Sequence, residues 1–115
     1  MDQQHGSWGE RIQTFRTDVC LVTILYLEPN KRCSWHLHKT THNQFFVVKG
    51  RLGVTTDIGP VPKTTILTEK QYFTVKPGVT HEFLTYDEPT IIEEVAYVKY
   101  DDSDIKRARL GGDTK

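Results

Sequence analysis

The sequence predicts an all-β protein, a sandwich or barrel of antiparallel strands. Two observations carry this expectation: short runs of β-branched and aromatic residues recur along the chain, and Gly, Pro, Asn and Asp punctuate them. A helical pattern is confined to the C-terminal end. The length of 115 residues suits one domain over 1–115 and leaves no room for a second core.

The elements follow in order. Val19 to Leu27 alternates little and is rich in Val, Leu, Ile and Tyr, so it reads as a largely buried strand, stopped by Glu28-Pro29-Asn30-Lys31. Gln44 to Gly50 is a second strand, and Arg51 to Thr56 resumes the pattern after a hairpin or bend at Gly50. Asp57 to Lys63, with Gly59, Pro60 and Pro62, is a loop. Thr64 to Leu67, Tyr72 to Val75, Glu82 to Thr85 and Ile91 to Tyr100 are further strands, parted by Glu69-Lys70, Pro77-Gly78 and Asp87-Glu88-Pro89. Asp101 to Leu110 is the one helix candidate; Gly111-Gly112 ends it, and the tail to Lys115 is expected to fray.

Charge excludes some partners. Fifteen basic and fifteen acidic side chains cancel, so no whole-molecule field favours nucleic acid or an anionic membrane, and a small-molecule or protein partner is expected. The polar start, Met1 to Glu10, lacks a signal core, and no apolar run is long enough to cross a bilayer, which points to a cytoplasmic protein. Cys20 and Cys33 lie in or beside strand-like sequence and read as reduced, buried residues.

The chemistry is concentrated in histidines. In Trp35-His36-Leu37-His38 two imidazoles stand two residues apart, which on a strand puts them on one face about 6.8 Å apart. Lys76-Pro77-Gly78-Val79-Thr80-His81 supplies a third. If a later strand brings His81 opposite the first two, three neutral imidazoles suit one divalent ion of Zn, Fe, Mn, Co or Ni and leave positions open. His5 sits in the polar terminus and is expected to be solvated, while Trp8 and Trp35 read as packing residues, Trp35 pointing away from the histidine face.

These two histidine clusters resemble the two motifs of the cupin superfamily. Asn30, His36-Leu37-His38, Asn43 and Gly50 stand for the first, and Lys76-Pro77-Gly78-Val79-Thr80-His81 for the second, its proline displaced by one residue to Pro77. Asn30 stands where the family usually has glycine and Asn43 where it has a ligating glutamate. Within the superfamily the chain is similar to the C-terminal domain of type II phosphomannose isomerase, often fused to mannose-1-phosphate guanylyltransferase. Ser7-Trp8-Gly9, Phe45 to Gly50, Leu67 to Gln71, Pro89 to Val95 and Asp104 to Arg107 carry that likeness, from about residue 7 to 107. The arginine that closes the family domain has no counterpart in Leu110 to Asp113.

The resemblance implies a single-domain double-stranded β-helix, or jelly-roll, barrel with one divalent metal ion at His36, His38 and His81. For the fourth ligand position Gln44 is preferred for its reach, with Asn43 and His42 as alternatives. It also implies metal-assisted aldose–ketose isomerisation of a sugar or sugar phosphate, with Glu94 as the proton-moving group. Glu93 and Glu94 alternate on one strand, so one faces inward, and the alignment favours Glu94. A phosphate would need a cation from Lys39, Lys76, Lys99, Arg107 or Arg109. The alternatives are an iron-dependent dioxygenase and a non-catalytic carbohydrate-binding or sensing module. A homodimer, covering an exposed strand edge, is expected.

Overall fold

The computed structural model describes residues 3–6, 8–98, 111, 113 and 114. Nine strands are present among them: β1 (Gln3–Gly6), β2 (Gly9–Arg16), β3 (Cys20–Leu27), β4 (Thr41–Lys49), β5 (Leu52–Thr56), β6 (Lys63–Leu67), β7 (Tyr72–Val75), β8 (His81–Thr85) and β9 (Thr90–Val98). They form a six-stranded sheet in the order β1-β2-β3-β9-β4-β7 and a three-stranded sheet in the order β6-β5-β8, with every pairing antiparallel. The expected jelly roll is therefore an open pair of sheets among the described residues, not a closed barrel.

Alternation builds the core. On β4, Asn43, Phe45 and Val47 are buried while Gln44 and Phe46 between them are only half-buried, so one face of the strand turns to the smaller sheet. Leu25 and Leu27 on β3, Ile92 on β9, Leu52 and Val54 on β5, and Phe83 on β8 complete the apolar cluster with Leu67 and Val75. Each such side chain contributes roughly 1.5–3 kcal/mol of transfer free energy on leaving water. Gly50 carries the chain from β4 in one sheet to β5 in the other at φ 96°, and a Cβ there would lie 2.5 Å from Thr90 Oγ1 and 2.8 Å from the Pro89 carbonyl. That is a bend between sheets and not a hairpin within one.

Three expectations need correction. β2 was not anticipated, because its inward positions are Arg11 and Gln13, opposite Leu25 and Thr23, and Phe15 is exposed beyond a bulge, so no apolar alternation marks it. β1 pairs with its outer edge. The strand read as Val19 to Leu27 begins at Cys20 and buries one face, with Tyr26 exposed on the other. Finally, His36 and His38 do not lie on a regular strand. Residues 30–38 run beside β8 with isolated bridges at Arg32–Leu84 and His36–His81, so four residues of the segment span three of β8, a one-residue bulge. The helix candidate at 101–110, the tail, Lys99, Arg107, Arg109 and the side chain of His5 lie outside the described residues.

Candidate metal centre and cavity

The irregular segment is held by backbone hydrogen bonds. Asn30 N donates to Tyr86 O, Cys33 N to Phe83 O and Gly78 N to His38 O, while His36 and His81 exchange both of theirs at 3.0 and 2.9 Å. Asn30 enters the segment at φ 57°, a left-handed conformation that asparagine and glycine tolerate and most residues do not. Gly78, at φ 81°, turns the chain into His81. The sequence distance between the clusters is thus closed by strand pairing, as the central expectation required.

The three rings meet. Centroids of His36 and His81 are 4.5 Å apart, those of His36 and His38 5.2 Å, and those of His38 and His81 5.8 Å. One ring nitrogen from each lies within 4.8 Å of the others. Their protonation suits a cation. His36 Nδ1 lies 2.8 Å from Ser34 O and His81 Nδ1 2.9 Å from Val79 O. A carbonyl only accepts, so both Nδ1 atoms carry the hydrogen and each Nε2 keeps its lone pair. His81 Nε2 is buried with no hydrogen-bond partner, a vacancy in polar bonding that a metal ion would fill. Burial and the neighbouring imidazoles hold His38 and His81 below the usual histidine range, against the opposing pull of the Val79 carbonyl on His81, so neutral ligands predominate near neutrality. The donor set fits a divalent transition metal.

His36 and His38 also form one wall of a cavity of about 320 Å³. The opposite wall is the inner face of the larger sheet: Arg11 on β2, Leu21, Thr23 and Leu25 on β3, Asn43 on β4, and Glu94 and Ala96 on β9, with Trp8 and Cys33 at the sides. Glu94 faces inward as the alternation argument favoured, and Asn43 Nδ2 donates to its Oε2 at 2.9 Å. Burial pushes the Glu94 carboxyl above the usual carboxylate range, and the Asn43 hydrogen bond, the Arg11 charge and His36 offset this in part. Cys33 accepts from Phe83 N at 3.0 Å, and burial pushes its thiol up to about 11, so it remains a protonated packing group and not a nucleophile.

The residues considered for the fourth ligand position separate. Gln44 points away from the cavity, its Oε1 accepting from Thr74 Oγ1 on β7 at 3.4 Å, because it alternates with inward Asn43 and Phe45. His42 is on the same outer face, stacked on Tyr97 with ring centroids 5.0 Å apart. Only Asn43 reaches the cavity, and its Oδ1 is buried and unpartnered. Of Gln44, preferred for its reach, and Asn43, the strand therefore presents Asn43 to the cavity and Gln44 to the outer face. Trp35 is 44% exposed and Lys39 and Lys76 are exposed, and none lines the cavity. Trp8 packs on the core and also lines the cavity. Arg11 was missed as a cavity residue because nothing marked β2 as a strand, and Thr23 because nothing in the β3 sequence sets it apart from the strand around it.

No protein-family model and no curated protein matches the sequence. Solved structures do match the fold. KdgF from Halomonas sp. superimposes with a TM-score of 0.74 at 16% identity, over 89% of this chain and 90% of that one. The cupin domain of Schizosaccharomyces pombe Cnp3 gives 0.73 at 12% identity, over 86% and 69%. A cupin-2 domain protein from Shewanella frigidimarina gives 0.63 at 20% identity, over 80% of each. No helix among the described residues is long and apolar enough to cross a membrane. The chain adopts the cupin fold and carries on it a group of three histidines able to hold a metal ion.

Proposed function

We propose that the protein is a metal-dependent enzyme of the sugar isomerase type, acting on a small sugar or sugar phosphate. The observation that carries this reading is Glu94, a buried carboxyl with a raised pKa on the cavity wall facing His36 and His38. Isomerisation of an α-hydroxy carbonyl compound moves a proton between adjacent carbons through an enediol, and needs one group that takes and returns it. A divalent ion on His36, His38 and His81 would supply Lewis-acid polarisation of the substrate's carbonyl and hydroxyl oxygens.

The chain's own residues do the rest. Asn43 occupies one carboxylate oxygen of Glu94 and fixes the group's orientation, leaving the other oxygen for the substrate proton. Burial makes Glu94 a stronger base than an exposed carboxylate, which brings its affinity for a proton nearer to the working pH. Leu25, Phe83 and Trp8 limit the water around it. The nitrogen-only histidine set, with Asn43 in place of a carboxylate, holds a divalent ion less firmly than a set with an anionic ligand.

The test is proton exchange. Protein loaded in turn with Mn, Fe, Co, Ni or Zn is incubated with D-mannose and D-mannose 6-phosphate in deuterated water, and deuterium at C2 is followed by proton NMR. Exchange that disappears in Glu94→Gln supports the reading. Metal-loaded protein that exchanges neither substrate overturns it. Oxygen uptake by the anaerobically iron-loaded protein would place the site among dioxygenases instead.

A further inference from the structure

Arg11 is a charged side chain without an obvious purpose in the fold. It sits on the inner face of β2 opposite Leu25, in a cavity wall otherwise made of apolar and neutral groups apart from Glu94. Its Nε is buried and has no hydrogen-bond partner among the described residues. The ion pairs found among those residues are Arg32–Glu82 and Arg51–Asp87, so Arg11 acts on Glu94 only as a charge further along the same cavity wall. A guanidinium nitrogen kept from water with no acceptor is costly, and in native structures such a group calls for an explanation.

We propose that Arg11 is the specificity-determining residue of this cavity and that it selects a ligand bearing a carboxylate. Nε and one Nη of a guanidinium present two parallel N–H groups whose spacing matches the two oxygens of a carboxylate. The charge balance agrees. With a divalent ion on the histidines, Arg11 and that ion outweigh the single negative charge of Glu94, and a ligand carboxylate reduces the excess positive charge. The cavity of about 320 Å³ is at the lower end for small-molecule sites, the size for a single sugar acid or a shorter hydroxy acid. His38, Leu21 and Ala96 also line a more open hollow of about 290 Å³, which gives such a ligand a way in. The lysines that sequence reading offered to a phosphate, Lys39 and Lys76, are exposed and line neither hollow.

The inference rests on the proposed reading for its metal and its sugar-sized ligand, and the experiment separates the two. Calorimetric titration of nickel-loaded wild type, Arg11→Lys and Arg11→Met uses D-mannose, D-mannuronate and D-mannose 6-phosphate, which differ only at C6. Glycolate and ethylene glycol form a second pair, free of any sugar. Circular dichroism checks that each variant keeps the wild-type spectrum. Wild type is expected to bind mannuronate at least about tenfold more tightly than mannose, Arg11→Met to lose that advantage, and Arg11→Lys to keep part of it through its charge.

A merely structural Arg11 would change both affinities together and leave their ratio alone. Equal affinity for mannuronate and mannose, a ratio unchanged in Arg11→Met, or a preference for the phosphate overturns the proposal. Arg11-dependent binding of glycolate without sugar binding supports it and sinks the carbohydrate reading. Binding of neither carboxylate overturns it. If Arg11→Met loses the wild-type spectrum, Arg11→Lys decides: an unchanged ratio there overturns the proposal and a reduced one supports it.

Discussion

Asn43→Ala is expected to uncouple Glu94 from its fixed position, and its cost follows from two features of the site. Asn43 is 2% exposed, and its Nδ2 reaches Glu94 Oε2 at 2.9 Å. Leaving one partner of a buried hydrogen bond unsatisfied costs about 1–3 kcal/mol, and the small void left by the amide adds to it, so a loss of about 2–3 kcal/mol is expected. For a chain of this length that lowers Tm by roughly 6–18 °C. The pH dependence is more diagnostic than the size. Folding raises the Glu94 pKa above its ordinary value of 4.5, so the folded state binds more protons, and stability from this group falls as pH rises through that window. Removing the Asn43 donor raises the folded pKa further and deepens the fall. The deficit is therefore larger at pH 7 than at pH 4.5, where Glu94 is protonated and the donor matters less. Asn43→Asp keeps the shape and replaces the donor by a second carboxylate, and the same trend with pH is expected without any void. Thermal and urea unfolding of metal-free protein at both pH values reads these differences. A deficit independent of pH in both variants would refute the coupling and leave Asn43 as packing alone.

Two other outcomes test the frame around the site. Phe45 is fully buried between the rings of His81 and Phe83, with centroids at 6.2 and 5.6 Å, and Phe45→Ala should cost about 3–5 kcal/mol in urea unfolding; a loss under about 1 kcal/mol would contradict this packing. Metal-free protein should lose stability as pH falls through 6.5 and below, because His38 and His81 have lowered pKa values and the unfolded chain binds more protons there. The opposing contribution of Glu94 is removed by measuring this in Glu94→Gln, and stability that is flat or rising on acidification in that background would refute it.

Much of the fold was legible because most strands carry an apolar inner face. Tyr72–Val75 was read with the observed ends, and the strands at residues 52–56, 63–67 and 81–85 to within one residue. β2 was not legible because its inner face holds Arg11, which lines the cavity, and Gln13, so the apolar signal that marks a strand is missing there. The histidines were legible from spacing and from the turn before His81, although their segment is irregular and joined to β8 through a bulge. The choice between Asn43 and Gln44 depended on which face β4 turns inward, and a one-residue ambiguity in strand phase inverts that answer.

The central claim, that His36, His38 and His81 grip one divalent ion, is tested most directly by metal content. Untagged wild type, Gln44→Ala and single alanine variants of the three histidines are loaded, desalted and analysed for metal per chain. One ion per chain is expected in wild type and Gln44→Ala, and a clear deficit in each histidine variant, since loss of an imidazole ligand weakens binding substantially. Full metal content in His81→Ala, or none in wild type, would contradict the account.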